Sequence, residues 1–144
     1  AFGSGILFPD GTLDRKALAR AAFSSRENTE LLNKTLFPHI TALIEPELAR
    51  PLVLLDAPTL YESGLDSRCD ITIAVLAERE LRLSRITERD GLTLSEARLR
   101  LNAGKPDEFY LERADKILYN NGEADSFKAA AELLFQNITG GQLL

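Results

Sequence analysis

The chain has 144 residues, 27% charged and 44% hydrophobic, and 17 basic against 22 acidic side chains give it a formal charge of −5. That length supports one domain with a real core, and the composition excludes a disordered chain and argues against a nucleic-acid surface built on bulk positive charge, leaving only a local basic cleft. One cysteine, Cys69, rules out an intrachain disulfide or cysteine-rich metal site, and one histidine, His39, removes most catalytic-triad and zinc schemes. The apolar runs are too short to span a bilayer and no signal-peptide pattern opens the chain, so a cytoplasmic protein is expected. The chain starts Ala-Phe-Gly and contains no methionine, which reads as a piece of a longer translation product.

Residues 1–11 carry Gly3, Ser4, Gly5, Pro9 and Asp10-Gly11 and read as loop. Gly-Ser-Gly suggests a phosphate loop, but no Gly-Lys-Ser/Thr follows it. Thr12 is placed to cap a helix with Leu13, Ala17, Leu18, Ala21 and Ala22 on one face. Ser24 or Ser25 starts a second helix, which Pro38 should end or kink before a further stretch through Ile40, Leu43, Ile44 and Leu48. His39 lies beside that kink without a sequence-local partner, and a structural role suits it better than a catalytic one.

Leu52–Leu55 is an unbroken apolar run ending in Asp56, the pattern of a strand buried on both faces of a parallel sheet. Ligand crevices in such sheets lie beyond the carboxyl ends of the strands, which is where Asp56, Pro58, Tyr61 and Glu62 fall. One short turn follows at 66–70. Ile71–Leu76 is a second buried strand, rich in β-branched residues. A helix from about Glu78 to Arg89 then gives the strand–helix alternation of a parallel α/β sheet. It sets Arg82, Arg85 and Arg89 on one face, where they form either a solvated stripe paired as Glu78–Arg82 and Arg85–Glu88, or an anion-binding stripe.

Asp90-Gly91 stops that helix, and Thr93-Leu-Ser-Glu96 is a capping box for the next, which holds Arg98 and Arg100 and breaks at Gly104-Lys105-Pro106. A further short helix leads to Arg113, Ala114 and Asp115. The two short basic helices have the look of a mobile cover, and a surface hairpin without a role fits equally well. Lys116–Tyr119 is a short strand, Asn120-Asn121-Gly122 a turn, and a last amphipathic helix runs to about Ile138, with fraying at Gly140-Gly141.

Four pieces in order match one family. Asp56-Ala-Pro-Thr-Leu-Tyr-Glu62-Ser-Gly resembles the Asp-x-Pro-Leu-Leu-Phe-Glu-x-Gly segment of dephospho-coenzyme A kinases. Phe2-Gly with Asp10-Gly-Thr-Leu-Asp-Arg15 is similar to the family's entry into its substrate-side helices. Arg85…Arg89-Asp90-Gly91-Leu92 resembles its Arg-x-x-x-Arg-Asp-Gly-Leu segment, and Ala114-Asp115…Asn120-Asn121-Gly122 its Ala-Asp…Asn-x-Gly ending.

The resemblance implies an α/β phosphate-loop kinase fold with a parallel sheet, a helical substrate subdomain and a lid. Its parts would be residues 1–50 as helical substrate subdomain, 51–92 as core, 93–114 as lid, and 115–144 as the last strand and helix. The implied reaction moves the ATP γ-phosphoryl group to the ribose 3′-hydroxyl of dephospho-coenzyme A, the last step of coenzyme A synthesis. Arg85 and Arg89 would be catalytic, and Arg85, Arg100, Asn120, Asn121 and Gly122 would bind ATP. Asp56, Pro58, Leu60, Tyr61 and Glu62 would line the substrate side, while Arg82 stays a surface residue.

The family also has a first strand, a Gly-x-x-Gly-x-Gly-Lys-Ser/Thr loop and an Asp-Ala-Asp segment, none of which occurs here. The chain alone is therefore expected to be inactive, with the Mg2+ ligands mainly elsewhere and an open sheet edge inviting self-association. Phe37 stands for His before Pro, Thr59 for Leu, Gly104 for a lid Gln and Tyr119 for Asp. Two alternatives remain: a different nucleotide kinase, and a non-catalytic module binding coenzyme A or dephospho-coenzyme A.

Overall fold

Short polar side chains start three of the helices in the computed structural model, which describes residues 1–140. The chain divides into two compact units, Ala1–Arg68 and the residues from Cys69 onward. In the first unit, a 3-10 turn at Ser4–Ile6 precedes an antiparallel bridge between Leu7 and Leu13. Asp10 closes the intervening turn by accepting from Thr12 N–H (2.9 Å) and Thr12 Oγ1 (2.6 Å), and Gly11 supplies the positive φ of 82°. With Thr12 so occupied, the cap of α1 (Arg15–Ala22) is Asp14, whose Oδ1 accepts from Lys16 and Ala17 N–H, both at 2.9 Å.

Ser25 caps α2 (Arg26–Ile44) by accepting from Asn28 N–H. Asn28 and Thr29 donate back to the carbonyls of Ala21 and Ala22, which ties the start of α2 to the end of α1 beside fully buried Ala22. Of the end or kink expected at Pro38, the end does not occur; α2 runs through it to Ile44. Pro38 forfeits only the bond its N–H would give to Lys34, and both residues are exposed, so water can take the freed carbonyl. Pro46, eight residues later, heads a 3-10 turn at Glu47–Ala49.

The strand expected at 52–55 is also absent. Residues 52–57 carry no regular structure, and Leu54 is 73% exposed. Apolar content alone does not make a strand. The backbone needs a neighbouring ladder, and no described strand pairs with this run. The chain then forms α3 (Leu60–Ser63), ended by Gly64 in the left-handed region, and a 3-10 turn at Leu65–Arg68 with Leu65 buried. Arg68 grips Glu45 with two bonds of 2.8 and 2.7 Å, closing this segment onto the end of α2.

In the second unit, β1 (Ile73–Leu76) leads to α4 (Arg79–Asp90), α5 (Leu94–Asn102) and α6 (Asp107–Leu111), and the chain returns as β2 (Lys116–Tyr119) before α7 (Ala124–Thr139). β1 and β2 pair in parallel, Ile73 opposite Lys116 through Leu76 opposite Tyr119. The strand starts two residues later than expected because Thr72 is committed elsewhere. Its N–H (2.8 Å) and Oγ1 (2.7 Å) donate to Asp115 Oδ2, and its Oγ1 accepts from Asp115 N–H (3.1 Å). Ala74, Leu76 and Leu83 form the buried apolar centre with Ala97 of α5. α6 packs against β1, α7 against β2, and α4 against α5.

Arg82 is a correction as well. It is not a surface residue paired with Glu78, for it spans from α4 to Asp107 at the start of α6, with bonds of 2.9 and 3.0 Å. Its side chain is 29% exposed and its Nε is buried without a partner. Gly140, with φ 63°, caps α7, while the fraying expected at Gly141 lies outside the described residues. No helix among the described residues is long and apolar enough to cross a membrane.

Two outcomes follow for stability. The hydrogen bond from Thr72 holds the Asp115 carboxyl below its ordinary value. A carboxyl depressed in the folded state contributes stability that is complete above about pH 4 and is lost as the pH falls through the folded value. Asp115→Asn should therefore lower the thermal midpoint at pH 7, with the gap to wild type closing in acid; a gap independent of pH would contradict this. Arg82→Met should lower stability by about 1–2 kcal/mol in urea unfolding, since Asp107 loses a charged partner. An unchanged urea midpoint would show that the pair does not hold α6.

Candidate functional site

The arginine stripe of α4 fans out rather than lying in solvent as a row. Arg82 goes to α6, as described. Arg85 turns to the segment after β2, where its Nη1 donates to the Asn120 carbonyl at 2.9 Å and its Nη2 to Asn120 Oδ1 at 3.3 Å. The expected pairing with Glu88 gives way to this contact, and Glu88 accepts from Ser84 Oγ at 2.8 Å. Asn121 Oδ1 accepts from Glu78 N–H at 2.8 Å, so it satisfies a free amide at the start of α4 that no cap side chain serves. Asn120 N–H continues the strand ladder by donating to Leu76 O at 2.8 Å. The Asn120–Gly122 turn is thereby held from β1 and from both ends of the first two turns of α4.

At the other end of α4, Gly91 adopts φ 65° and donates to Thr87 O, which stops the helix and turns the chain out. The expected capping box forms: Thr93 Oγ1 accepts from Glu96 N–H, and Glu96 accepts from Thr93 N–H. This starts α5 so that Arg100 comes back to Asp90, with Nη1 to Oδ2 at 2.6 Å. Arg89 grips the same carboxylate through Nε (2.8 Å) and Nη2 (3.0 Å). The bond from Arg89 lowers the Asp90 pKa, and the bond to Asp90 raises that of Arg89. Arg79 Nη2 to Asn102 Oδ1, 2.7 Å, is a second tie between α4 and α5.

Arg85, Ile86, Glu88 and Arg89 line an open cleft of about 500 Å³. Of the residues expected at the ATP side, the structure thus joins Arg85 to Asn120, and Arg89 to Arg100 through Asp90. Gly122 sits in the same turn as Asn121. A surface with several guanidiniums, and with N–H groups still open to solvent, is suited to phosphate oxygens. Among the described residues no group of three or more His, Cys, Asp or Glu could hold a metal ion.

The first unit has its own cleft, of about 180 Å³, lined by Phe37, Ile40 and Ile44 of α2 together with Leu55, Asp56 and Pro58. Asp56 and Pro58 therefore lie on a cavity. Leu60, Tyr61 and Glu62 sit on α3 and do not line it, although Thr59 and Ser63 on either side do. The lining by Phe37, Ile40 and Ile44 is not foreseen from the sequence. Their i, i+3, i+7 spacing is a single helical face, hidden by reading Pro38 as a break. Asp90 is likewise missed as a partner, because beside Gly91 it reads only as a helix stop.

A sequence model of the dephospho-CoA kinase family matches residues 1–126. The chain is 37% identical over 145 aligned residues to the dephospho-CoA kinase of Moorella thermoacetica, covering 96% of this chain and 68% of that protein. It is 38% identical to that of Corynebacterium glutamicum, with 96% and 72% covered. The crystal structure of TT1252 from Thermus thermophilus superposes with a TM-score of 0.75 at 33% identity, covering 94% of this chain and 72% of that one. Dephospho-CoA kinase from Campylobacter jejuni gives 0.63 at 27% identity, with 96% and 71% covered. The fold is that of the α/β phosphate-loop kinases, and the chain belongs to the dephospho-CoA kinase family.

Proposed function

We propose that the protein containing this chain transfers the γ-phosphoryl group of ATP to the ribose 3′-hydroxyl of dephospho-coenzyme A, in the cytoplasm. The observation that carries the ATP side is that Arg85 and Arg89 line one cleft, with Arg85 bonded to Asn120 and Arg89 joined to Arg100 through Asp90. Phosphoryl transfer asks a protein for positioning and for cations placed where charge develops. Arg89 and Arg100 meet the phosphates. Arg85, bound to Asn120, links the phosphate end of the nucleotide to the adenine end at Asn120, Asn121 and Gly122. Asp56, Pro58, Leu60, Tyr61 and Glu62 with the helices before them receive dephospho-coenzyme A, and residues 93–114 form the lid.

The reaction also uses Mg2+, and the described residues offer no carboxylate cluster for it. These 144 residues hold no Gly-Lys-Ser/Thr loop, so the chain alone is expected not to turn over ATP, and the assay belongs in the full-length protein. There, formation of the 3′-phosphorylated product is the direct test. Arg89→Ala should lower kcat by an amount equivalent to roughly 2–4 kcal/mol, with little change in KM for dephospho-coenzyme A. An unchanged kcat would remove Arg89 from the mechanism.

A further inference from the structure

The geometry points to Asp90 as a positioning residue that holds Arg89 and Arg100 side by side as one preformed receptor for the ATP phosphates. This rests on the ATP site proposed above and adds a residue to it. Both carboxylate oxygens are engaged: Oδ1 by Arg89 Nε, and Oδ2 by Arg89 Nη2 and Arg100 Nη1. Arg89 is therefore gripped along one edge, which leaves its Nη1 hydrogens and the second Nη2 hydrogen free. Arg100 is held by one nitrogen and keeps its Nε and Nη2 hydrogens.

Exposure runs the same way. The Asp90 side chain is 22% exposed, against 68% for Arg89 and 56% for Arg100, so the anion is the covered anchor and the cations face outward. Two guanidiniums brought together without it would repel. With the carboxylate between them the trio still carries a net positive charge, enough to attract an anion. Each arginine also has rotamer entropy to lose, and the part already lost to Asp90 is not lost again on binding. Asp90 can do this because it is the last residue of α4, where Gly91 turns the chain and the Thr93 capping box sends α5 back past it.

A carboxylate beside a phosphate site could instead act as a competitor that the ligand must displace. The two roles differ in sign. Removing a negative charge from a competitor tightens anion binding, whereas removing it from an anchor weakens binding in spite of the added positive charge.

The test is calorimetric titration of this chain with tripolyphosphate and with ATP. Asp90→Asn should weaken both by about fivefold or more. Glu132→Gln makes the same charge change on α7, at a residue that pairs with Lys128 and does not line the cleft, and should not weaken either ligand. In an Arg100→Ala background the effect of Asp90→Asn should shrink, because one of the two groups it positions has gone. A purely structural role for Asp90 would show no such coupling.

Equal or tighter binding by Asp90→Asn overturns the inference while leaving the ATP site standing. If the wild-type chain takes up neither ligand, the ATP site fails and the inference with it. Should Asp90→Asn lose its circular-dichroism signature, Arg89→Lys decides. It keeps the charge but cannot grip both oxygens edge-on, so weaker binding supports the anchor and wild-type affinity refutes it.

Discussion

The second unit depends on the reciprocal grip between Thr72 and Asp115. A parallel pair of strands has no hairpin to set its register, and here each strand is only four residues long. Thr72 and Asp115 exchange three hydrogen bonds immediately before the strands begin, two of them to a charged acceptor. That fixes Ile73 opposite Lys116, and every later placement follows from it. Leu76 then meets Asn120 N–H at the far end, so the strand exit presents Asn120 and Asn121 to α4.

α4 converts this register into a site. Its arginines occupy one face by helical periodicity, yet each meets a different partner, set by what the register and the following helices offer it. Arg82 meets Asp107 and fixes the returning α6, Arg85 meets Asn120, and Arg89 meets Asp90 together with Arg100. One helix thus contributes a structural tie, a link to the Asn120 turn and a cation proposed to face phosphate, within a few turns. The pair nearest the interior is the structural one, with both partners about one-third exposed, and the outward pairs are those proposed to meet ligand.

What could be read in advance was whatever rests on local rules. The Thr93–Glu96 capping box and a helix opened at Ser24 or Ser25 each depend on neighbouring residues, and they form as expected, with Ser25 the cap. The family resemblance was likewise carried by short motifs and is borne out by the matched relatives. The readings that failed depend on partners far along the chain. Leu52–Leu55 has the composition of a buried strand but no strand beside it. Pro38 costs one hydrogen bond on an exposed face, too little to break a helix of 19 residues. The destinations of the arginines were invisible because periodicity gives a face and not what that face meets. Asp90 was hidden behind its neighbour, since Arg-Asp-Gly reads as a helix stop whether or not the carboxylate binds anything.

The central claim is that α4, α5 and the Asn120 turn form a nucleotide site within the second unit. The most direct measurement is a 15N NMR titration of this chain with ATP, following backbone and arginine side-chain signals. The account predicts shifts concentrated at Arg85, Arg89, Arg100 and residues 120–122, with dephospho-coenzyme A shifting the residues around Asp56 and Pro58 instead. ATP shifts confined to other parts of the chain, or none at saturating nucleotide, would contradict it.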